Sequence, residues 1–311
     1  MERITLGGSG LTTSRIGLGT WAIGGWMWGG TDEAESIATI RSAVDRGVTL
    51  IDTAPVYGFG RSEEIVGQAL AEGRIRDKVQ IATKVGLSWK DGQPYRDSRP
   101  ARVREEVEAS LRRLRTDVID LYQVHWPDPD TRIIETAAVL ADLRSEGKIR
   151  AIGVSNFSPA QMEAFRVASK LHAVQPPYNL FEREAEADVL PYARRTALTA
   201  LCYGALCRGL LAGRITAMTA FTGDDLRRRD PKFQGERPQI LLQALAVRWI
   251  LDQGPTVALW GARRPDQLDP IDEVSGWRID AATRAEIDAI LEQHIQDPVS
   301  PEFMAPPMHR P

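Results

Sequence analysis

A chain of 311 residues with 43% apolar and 26% charged side chains has the balance of a compact globule with ample core, which excludes a disordered or fibrous chain. Its formal net charge of −3 leaves no general basic footprint for nucleic acid or a membrane surface. Cys202 and Cys207 are the two cysteines, too few and too poorly spaced for a disulfide framework or a zinc site, so no metal and a reducing, cytoplasmic setting are expected. The opening residues 1–15 carry no apolar core of signal-peptide length, and no later run reaches the roughly 18 unbroken apolar residues of a membrane span.

In chain order, Ile4-Thr5-Leu6 and Leu11-Thr12-Thr13 flank a Gly-rich turn and predict a β-hairpin. From there, short β-branched runs alternate with longer amphipathic segments. The runs predict strands at 15–18, 49–52, 80–83, 119–124, 151–155, 173–175, 198–202 and 256–260. Helical segments between them include 32–46, 62–72, 100–114, 131–146 and 158–168, with Thr31, Ser62 and Ser158 placed to cap their starts and Gly47 and Gly147 to end two of them. Eight strands with intervening helices over about 250 residues predict one domain, 1–311, folded as an α/β (β/α)8 TIM barrel with an N-terminal hairpin and a C-terminal helix and tail. In such a barrel the chemistry sits on the loops that follow the strands.

Those loops bring four ionisable side chains to one rim. Asp52-Thr53-Ala54-Pro55-Val56-Tyr57-Gly58 follows the second strand, Lys84 the third, and His125-Trp126-Pro127 the fourth. Singly, each has an ordinary reading: a turn cap, a snorkelling lysine, a core histidine. Together they suit carbonyl reduction, where hydride addition leaves an alkoxide that needs a proton. Tyr57 is the candidate donor. Its unperturbed pKa is near ~10, and Lys84 is expected to lower it by favouring the phenolate, with Asp52 holding Lys84 and His125 orienting the carbonyl oxygen.

Three other readings are weaker. Gly17-Leu18-Gly19-Thr20-Trp21-Ala22 fits a dinucleotide-binding pattern, but Gly24–Gly30 continues as loop where that motif opens a helix. A metal-dependent barrel would gather histidines, and only His125 of His125, His172, His294 and His309 follows a strand. A non-catalytic NADP(H)-binding sensor on the same fold would be expected to have lost part of the quartet, which is intact here.

The chain resembles the aldo-keto reductases, and within them the bacterial general-stress branch. The resemblance is carried by Gly19-Thr20-Trp21, Asp52–Gly58, Ala82-Thr83-Lys84, Asp120-Leu121-Tyr122-Gln123-Val124-His125, Gly153-Val154-Ser155-Asn156-Phe157, Gln175-Pro176-Pro177-Tyr178-Asn179 and the tail 301–307. It implies a catalytic tetrad of Asp52, Tyr57, Lys84 and His125. It also implies that Ser155, Asn156 and Gln175 bind a nicotinamide carboxamide, that Tyr203 stacks on the nicotinamide, and that Gly19, Thr20 and Trp21 line the cofactor and the substrate mouth.

For the phosphates of such a cofactor, the stretch 206–214 offers Leu206, Arg208 and Leu210, and Gly261-Ala262-Arg263-Arg264 follows the last strand with Gln267 one turn on. Paired arginines opening a helix favour a 2′-phosphate, hence NADP(H) over NAD(H). Trp21, Trp26 and Trp28, with Trp126 across the rim, are expected to wall the substrate pocket. The expected activity is NADP(H)-dependent interconversion of small aldehydes or ketones with alcohols, glyceraldehyde-like or sugar-like substrates included, by a monomer or weak homo-oligomer without nucleic-acid or membrane partners. Three features depart from the family pattern. Gly204 stands where Pro is common, which predicts a less rigid loop; Pro270-Ile271 stand where Glu-Asn is frequent. The stretch between Asp230 and Val247 is short, leaving the barrel face near Gln239 without the usual extra helix.

Overall fold

Strands buried on both faces read as near-continuous apolar runs, and eight such runs close into a parallel barrel in the computed structural model, which describes residues 1–215, 218–233, 243–295 and 304–309. A hairpin of β1 (Arg3–Thr5) and β2 (Thr12–Ser14) comes first, with Ile4 opposite Thr13. Then follow β3 (Ile16–Gly19), α1 (Glu33–Asp45), β4 (Leu50–Asp52), α2 (Arg61–Gly73) and β5 (Gln80–Val85). A second hairpin, β6 (Leu87–Lys90) with β7 (Gln93–Arg96), precedes α3 (Pro100–Leu114), β8 (Ile119–Val124), α4 (Ile133–Ser145) and β9 (Ile149–Ser155). The chain continues through α5 (Pro159–Arg166), β10 (Ala173–Gln175), α6 (Val189–Arg195), β11 (Thr199–Cys202), α7 (Gln243–Leu251), β12 (Thr256–Gly261) and α8 (Ala281–His294). The barrel closes where β12 returns to β3, Leu259 lying opposite Gly17.

Successive side chains of a strand face opposite sides, so each strand sends every second residue into the barrel. One inward layer is apolar: Leu50, Ala82, Leu121, Ala151, Ala173, Leu201 and Val257 are fully buried and pack with Leu6 from the N-terminal hairpin, which plugs the end where the strands begin. Two residues further along the same strands stand Asp52, Lys84, Gln123, Gly153, Gln175 and Tyr203. The alternation that builds the core thus leads into a layer that is mostly polar, Leu259 of β12 and Gly153 of β9 excepted, at the end where the chemistry of such barrels sits.

Several boundaries and caps differ from expectation. β5 runs on to Val85 and β12 to Gly261, so Lys84 projects from within a strand. Asp32, not Thr31, caps α1: its Oδ1 accepts from the Glu35 N–H at 2.9 Å, while the Thr31 hydroxyl pairs with Ser36 at 3.1 Å. Ser62 lies inside α2, whose N-cap is Gly60, because its hydroxyl is turned to Thr20 and Thr53 at 2.8 and 2.9 Å. Ser158 does cap α5, in a reciprocal box with Gln161. Gln239 and tail residues 301–303 lie outside the described residues. Among the described residues no helix is long and apolar enough to cross a membrane.

Candidate active site

Asp52 ends β4 and Lys84 projects from β5, its immediate neighbour in the barrel. The buried Lys84 ammonium donates to Asp52 Oδ1 at 2.6 Å, to the Thr53 carbonyl at 3.0 Å and to the Tyr57 hydroxyl at 3.3 Å. The other carboxylate oxygen of Asp52 accepts from Gln175 Nε2 at 2.8 Å and Gln123 Nε2 at 3.3 Å. Tyr57 reaches this point from a tight turn after β4, closed by Tyr57 N–H to the Ala54 carbonyl at 3.1 Å. Trp21 stacks beside the Tyr57 ring at 6.1 Å, and His125 meets it edge-on at 5.7 Å.

The protonation states follow from burial more than from pairing. Burial pushes the Tyr57 hydroxyl well above the ordinary tyrosine range, and the nearby Asp52 carboxylate pushes it the same way. The direction is opposite to the lowering expected from Lys84, because burial and the Asp52 carboxylate both disfavour the phenolate in the resting site. Burial likewise pulls the Lys84 ammonium below its usual range against the opposing Asp52 carboxylate. Burial, and then Lys84, drive His125 well below the usual histidine range. The site at rest presents a protonated phenol and a neutral imidazole.

A cleft of about 1110 Å³ opens beside this cluster, lined by Gly19, Thr20, Trp21, Asp52 and Tyr57 at one end and by Tyr203, Leu206, Gly261, Arg263 and Gln267 further along. Ser155, Asn156 and Gln175 stand behind it, tied to one another and to its wall. Ser155 donates to the Gln175 carbonyl at 2.9 Å, Asn156 Nδ2 donates to the His125 carbonyl at 3.0 Å, and the Tyr203 hydroxyl donates to Asn156 Oδ1 at 2.9 Å. Gly204 sits at φ +70°, which proline cannot adopt. Its carbonyl accepts from Asn179 Nδ2 at 3.0 Å and from Cys207 N–H at 2.6 Å.

The basic end of the cleft departs most from expectation. Arg208 is buried and held by Asp230 at 2.6 Å and Glu182 at 3.2 Å, so its charge is largely compensated. Leu210 packs into the core and does not line the cleft. Arg263 lines it and donates to the Trp28 carbonyl at 2.8 Å, whereas Arg264 turns outward to Asp266 at 3.3 Å. The two open a 3-10 helix, 265–274, and Gln267 uses its Oε1 to accept their backbone N–H groups at 2.9 and 3.2 Å. Ile271 in that helix is buried in the core, which leaves no side-chain polar group at that position. Arg214 and Arg227 also line the cleft, Arg227 lying 4.9 Å over the Trp28 ring while paired with Asp225 at 2.6 Å. Arg227 lies in Asp-Asp-Leu-Arg-Arg-Arg-Asp, 224–230, where nothing local distinguishes it from the arginines beside it.

Of the four tryptophans expected to wall the substrate pocket, Trp21 and Trp28 line the cleft and meet edge-to-face at 5.3 Å. Trp26 and Trp126 do not. They join Ala54, Val56 and Leu87 in a small apolar cluster behind Tyr57, with Phe59 4.9 Å from Trp26 and the Arg96 guanidinium 5.2 Å over Trp126. Among the described residues no group of three or more His, Cys, Asp or Glu side chains is placed to hold a metal ion.

A closed (β/α)8 barrel with a buried Asp–Lys–Tyr–His cluster opening on a long cleft defines the class, a barrel oxidoreductase. The chain belongs to the aldo/keto reductase family, whose model matches residues 15–292. It is 57% identical to the aldo-keto reductase YhdN of Bacillus subtilis (strain 168), over 99% of this chain and 98% of that one. That alignment runs over 326 positions against 311 residues here, so at least fifteen positions of the relative have no counterpart. An NADH-specific methylglyoxal reductase of Escherichia coli (strain K12) is 39% identical over 86% of this chain and 91% of its own. The structure of a glycerol dehydrogenase from Gluconobacter oxydans superposes with a TM-score of 0.86 at 51% identity, covering 97% of this chain and 99% of that one.

Proposed function

We propose that this protein is an NADP(H)-dependent reductase of small aldehydes and ketones in which Tyr57 is the general acid in reduction and the general base in the reverse direction. The observation that carries the reading is the Lys84 ammonium shared between Asp52 Oδ1 and the Tyr57 hydroxyl in a buried site open to the cleft. The residues present fit such a cofactor. Trp21 and Tyr203 give aromatic walls, the side-chain amide oxygen of Gln175 (Oε1) has no partner among the described residues, and Arg227 and Arg263 lie at the far end where a 2′-phosphate needs donors. When bound, the nicotinamide supplies hydride to the carbonyl carbon.

The chain's own residues handle the proton. The Tyr57 hydroxyl, kept protonated by burial, gives its proton to the carbonyl oxygen as charge develops there. The phenolate that remains faces the Lys84 ammonium at 3.3 Å, and Asp52 keeps that ammonium in place. Neutral His125 is a hydrogen-bond donor to the same carbonyl oxygen. Asn156, Ser155 and Gln175 orient the carboxamide, and Tyr203 backs the ring.

Trp21 and Trp28 at the mouth suit a short, partly polar substrate, and the relatives' names point to three-carbon polyols and dicarbonyls. The test follows NADPH and NADH absorbance with glyceraldehyde and with methylglyoxal. Turnover is expected with NADPH preferred, and Tyr57→Phe is expected to lose about 10²- to 10⁴-fold in kcat while still binding NADPH. A Tyr57→Phe variant as active as the wild type overturns the tyrosine mechanism. NADPH binding without turnover of any carbonyl gives the sensor reading instead.

A further inference from the structure

Gln123 of β8 is fully buried inside the barrel, in the polar layer just above the apolar one. An amide there costs free energy unless its donors and acceptor are met. Two polar partners take one of the donors and the acceptor: Nε2 donates to Asp52 Oδ2 at 3.3 Å, and Oε1 accepts from Gln175 Nε2 at 3.4 Å. Gln175 Nε2 also donates to the same Asp52 oxygen at 2.8 Å. A carboxylate only accepts, so both amides turn Nε2 inward, and the Gln175 carbonyl oxygen is left pointing away from Asp52. The strand next door makes the room. Gly153 lies opposite Gln123 in register, and a Cβ there would stand 2.9 Å from Gln123 Cγ and 3.2 Å from its Oε1.

We propose that Gln123 is a positioning residue, which holds Asp52 with Oδ1 on Lys84 and fixes the Gln175 amide with its carbonyl oxygen outward. The inference rests on the reading of Asp52, Lys84 and Tyr57 as the proton machinery. It gives the polar layer a division of labour. Lys84 takes one oxygen of Asp52 and two glutamines the other, so the carboxylate cannot rotate to trade partners. Gln123 itself contacts neither cleft nor reacting atoms; it acts through the two residues it touches.

The test is steady-state NADPH-dependent reduction of glyceraldehyde across pH by the full chain, with Tyr57→Phe alongside. Gln123→Leu keeps the volume and removes the hydrogen bonds; kcat is expected to fall about ten- to a hundredfold with the aldehyde KM unchanged. Gln123→Glu sets a second carboxylate against Asp52 and is expected to be slower still near neutral pH. As pH falls and the introduced carboxyl protonates it becomes a donor again, so the ratio of its kcat to wild type should rise. Gly153→Ala should lower kcat in the wild type and lower it several-fold less in a Gln123→Ala background, where only the Ala173 carbonyl at 3.3 Å still crowds the new Cβ; this arm decides the matter should the glutamate variant fail to fold, and an equal loss in both backgrounds counts against the proposal. A packing role predicts wild-type kcat for Gln123→Leu and a pH-independent ratio for Gln123→Glu. Those results, with wild type active and Tyr57→Phe inactive, overturn the proposal alone. Turnover that survives Tyr57→Phe overturns the underlying reading, and this proposal with it.

Discussion

Lys84 directs its ammonium at three oxygens of three kinds: a carboxylate, a backbone carbonyl and a phenol. Only the phenol can exchange a proton with a ligand in the cleft. Because burial raises the phenol and depresses the imidazole, neither group should titrate in the neutral range. In the proposed mechanism the protonated phenol is the acid, so kcat for reduction is expected to stay level through neutral pH and to fall only on the alkaline side, where Tyr57 ionises. No acid limb should appear near the ordinary histidine value of about 6.5. A pH–kcat profile checks this, and a limb at that value absent from a His125→Asn variant would show that the imidazole carries charge in the working enzyme. The quartet itself was legible in the sequence, since Asp52, Lys84 and His125 sit at successive strand ends and Tyr57 one turn beyond. The acidity of Tyr57 was not. A sequence names the charged neighbours of a phenol but not the water it loses, and here the water decides. Gln123 was also hidden, because a glutamine within Asp120–His125 acquires partners only through the register of four other strands.

At the scale of elements, strand cores were legible and their ends were not. β5 continues through Lys84 to Val85 because Val85 and Val124 pair across to β8, a contact no local pattern encodes. The hairpin of β6 and β7 falls outside the strand–helix alternation, yet its turn is written plainly: Asp91 and Gly92 both take positive φ, 52° and 75°, as a two-residue hairpin loop requires. Helix starts are finer still. Thr31 and Asp32 are adjacent and both suited to capping, and tertiary contacts choose between them, the Thr31 hydroxyl pairing with Ser36 while Asp32 meets the Glu35 N–H. Asp32→Ala is therefore expected to cost about 1 kcal/mol of stability, and Thr31→Ala clearly less. Urea unfolding of the two variants measures the difference, and a larger loss at Thr31 would return the cap to the position suggested by sequence.

Across the whole molecule, the apolar and polar layers of the barrel divide stability from chemistry. The alternation of eight apolar runs made the closed barrel legible, because period-two strands and intervening helices leave few other ways to bury both faces. The far end of the cleft was not, since three arginines there are claimed by a carboxylate or carbonyl from a segment distant in sequence, Asp230 for Arg208, Asp266 for Arg214 and Trp28 for Arg263, while Arg227 is held locally by Asp225. The plug at the opposite end is simpler. Leu6 is fully buried against the inward residues of the apolar layer, and the Gly7 N–H is held by Thr199 at 3.0 Å at the start of β11. Leu6→Ala leaves a cavity that the closed barrel wall has little freedom to fill, so a loss of roughly 2–5 kcal/mol is expected. The polar layer hangs from the opposite ends of the same strands and keeps its own hydrogen bonds, so kcat per folded molecule should stay within about twofold of wild type, a difference under 1 kcal/mol in barrier. Denaturant unfolding beside active-site-normalised kinetics checks both. A fall in kcat that tracks the fall in stability would mean that the apolar layer sets the geometry around Lys84 as well as holding the barrel closed.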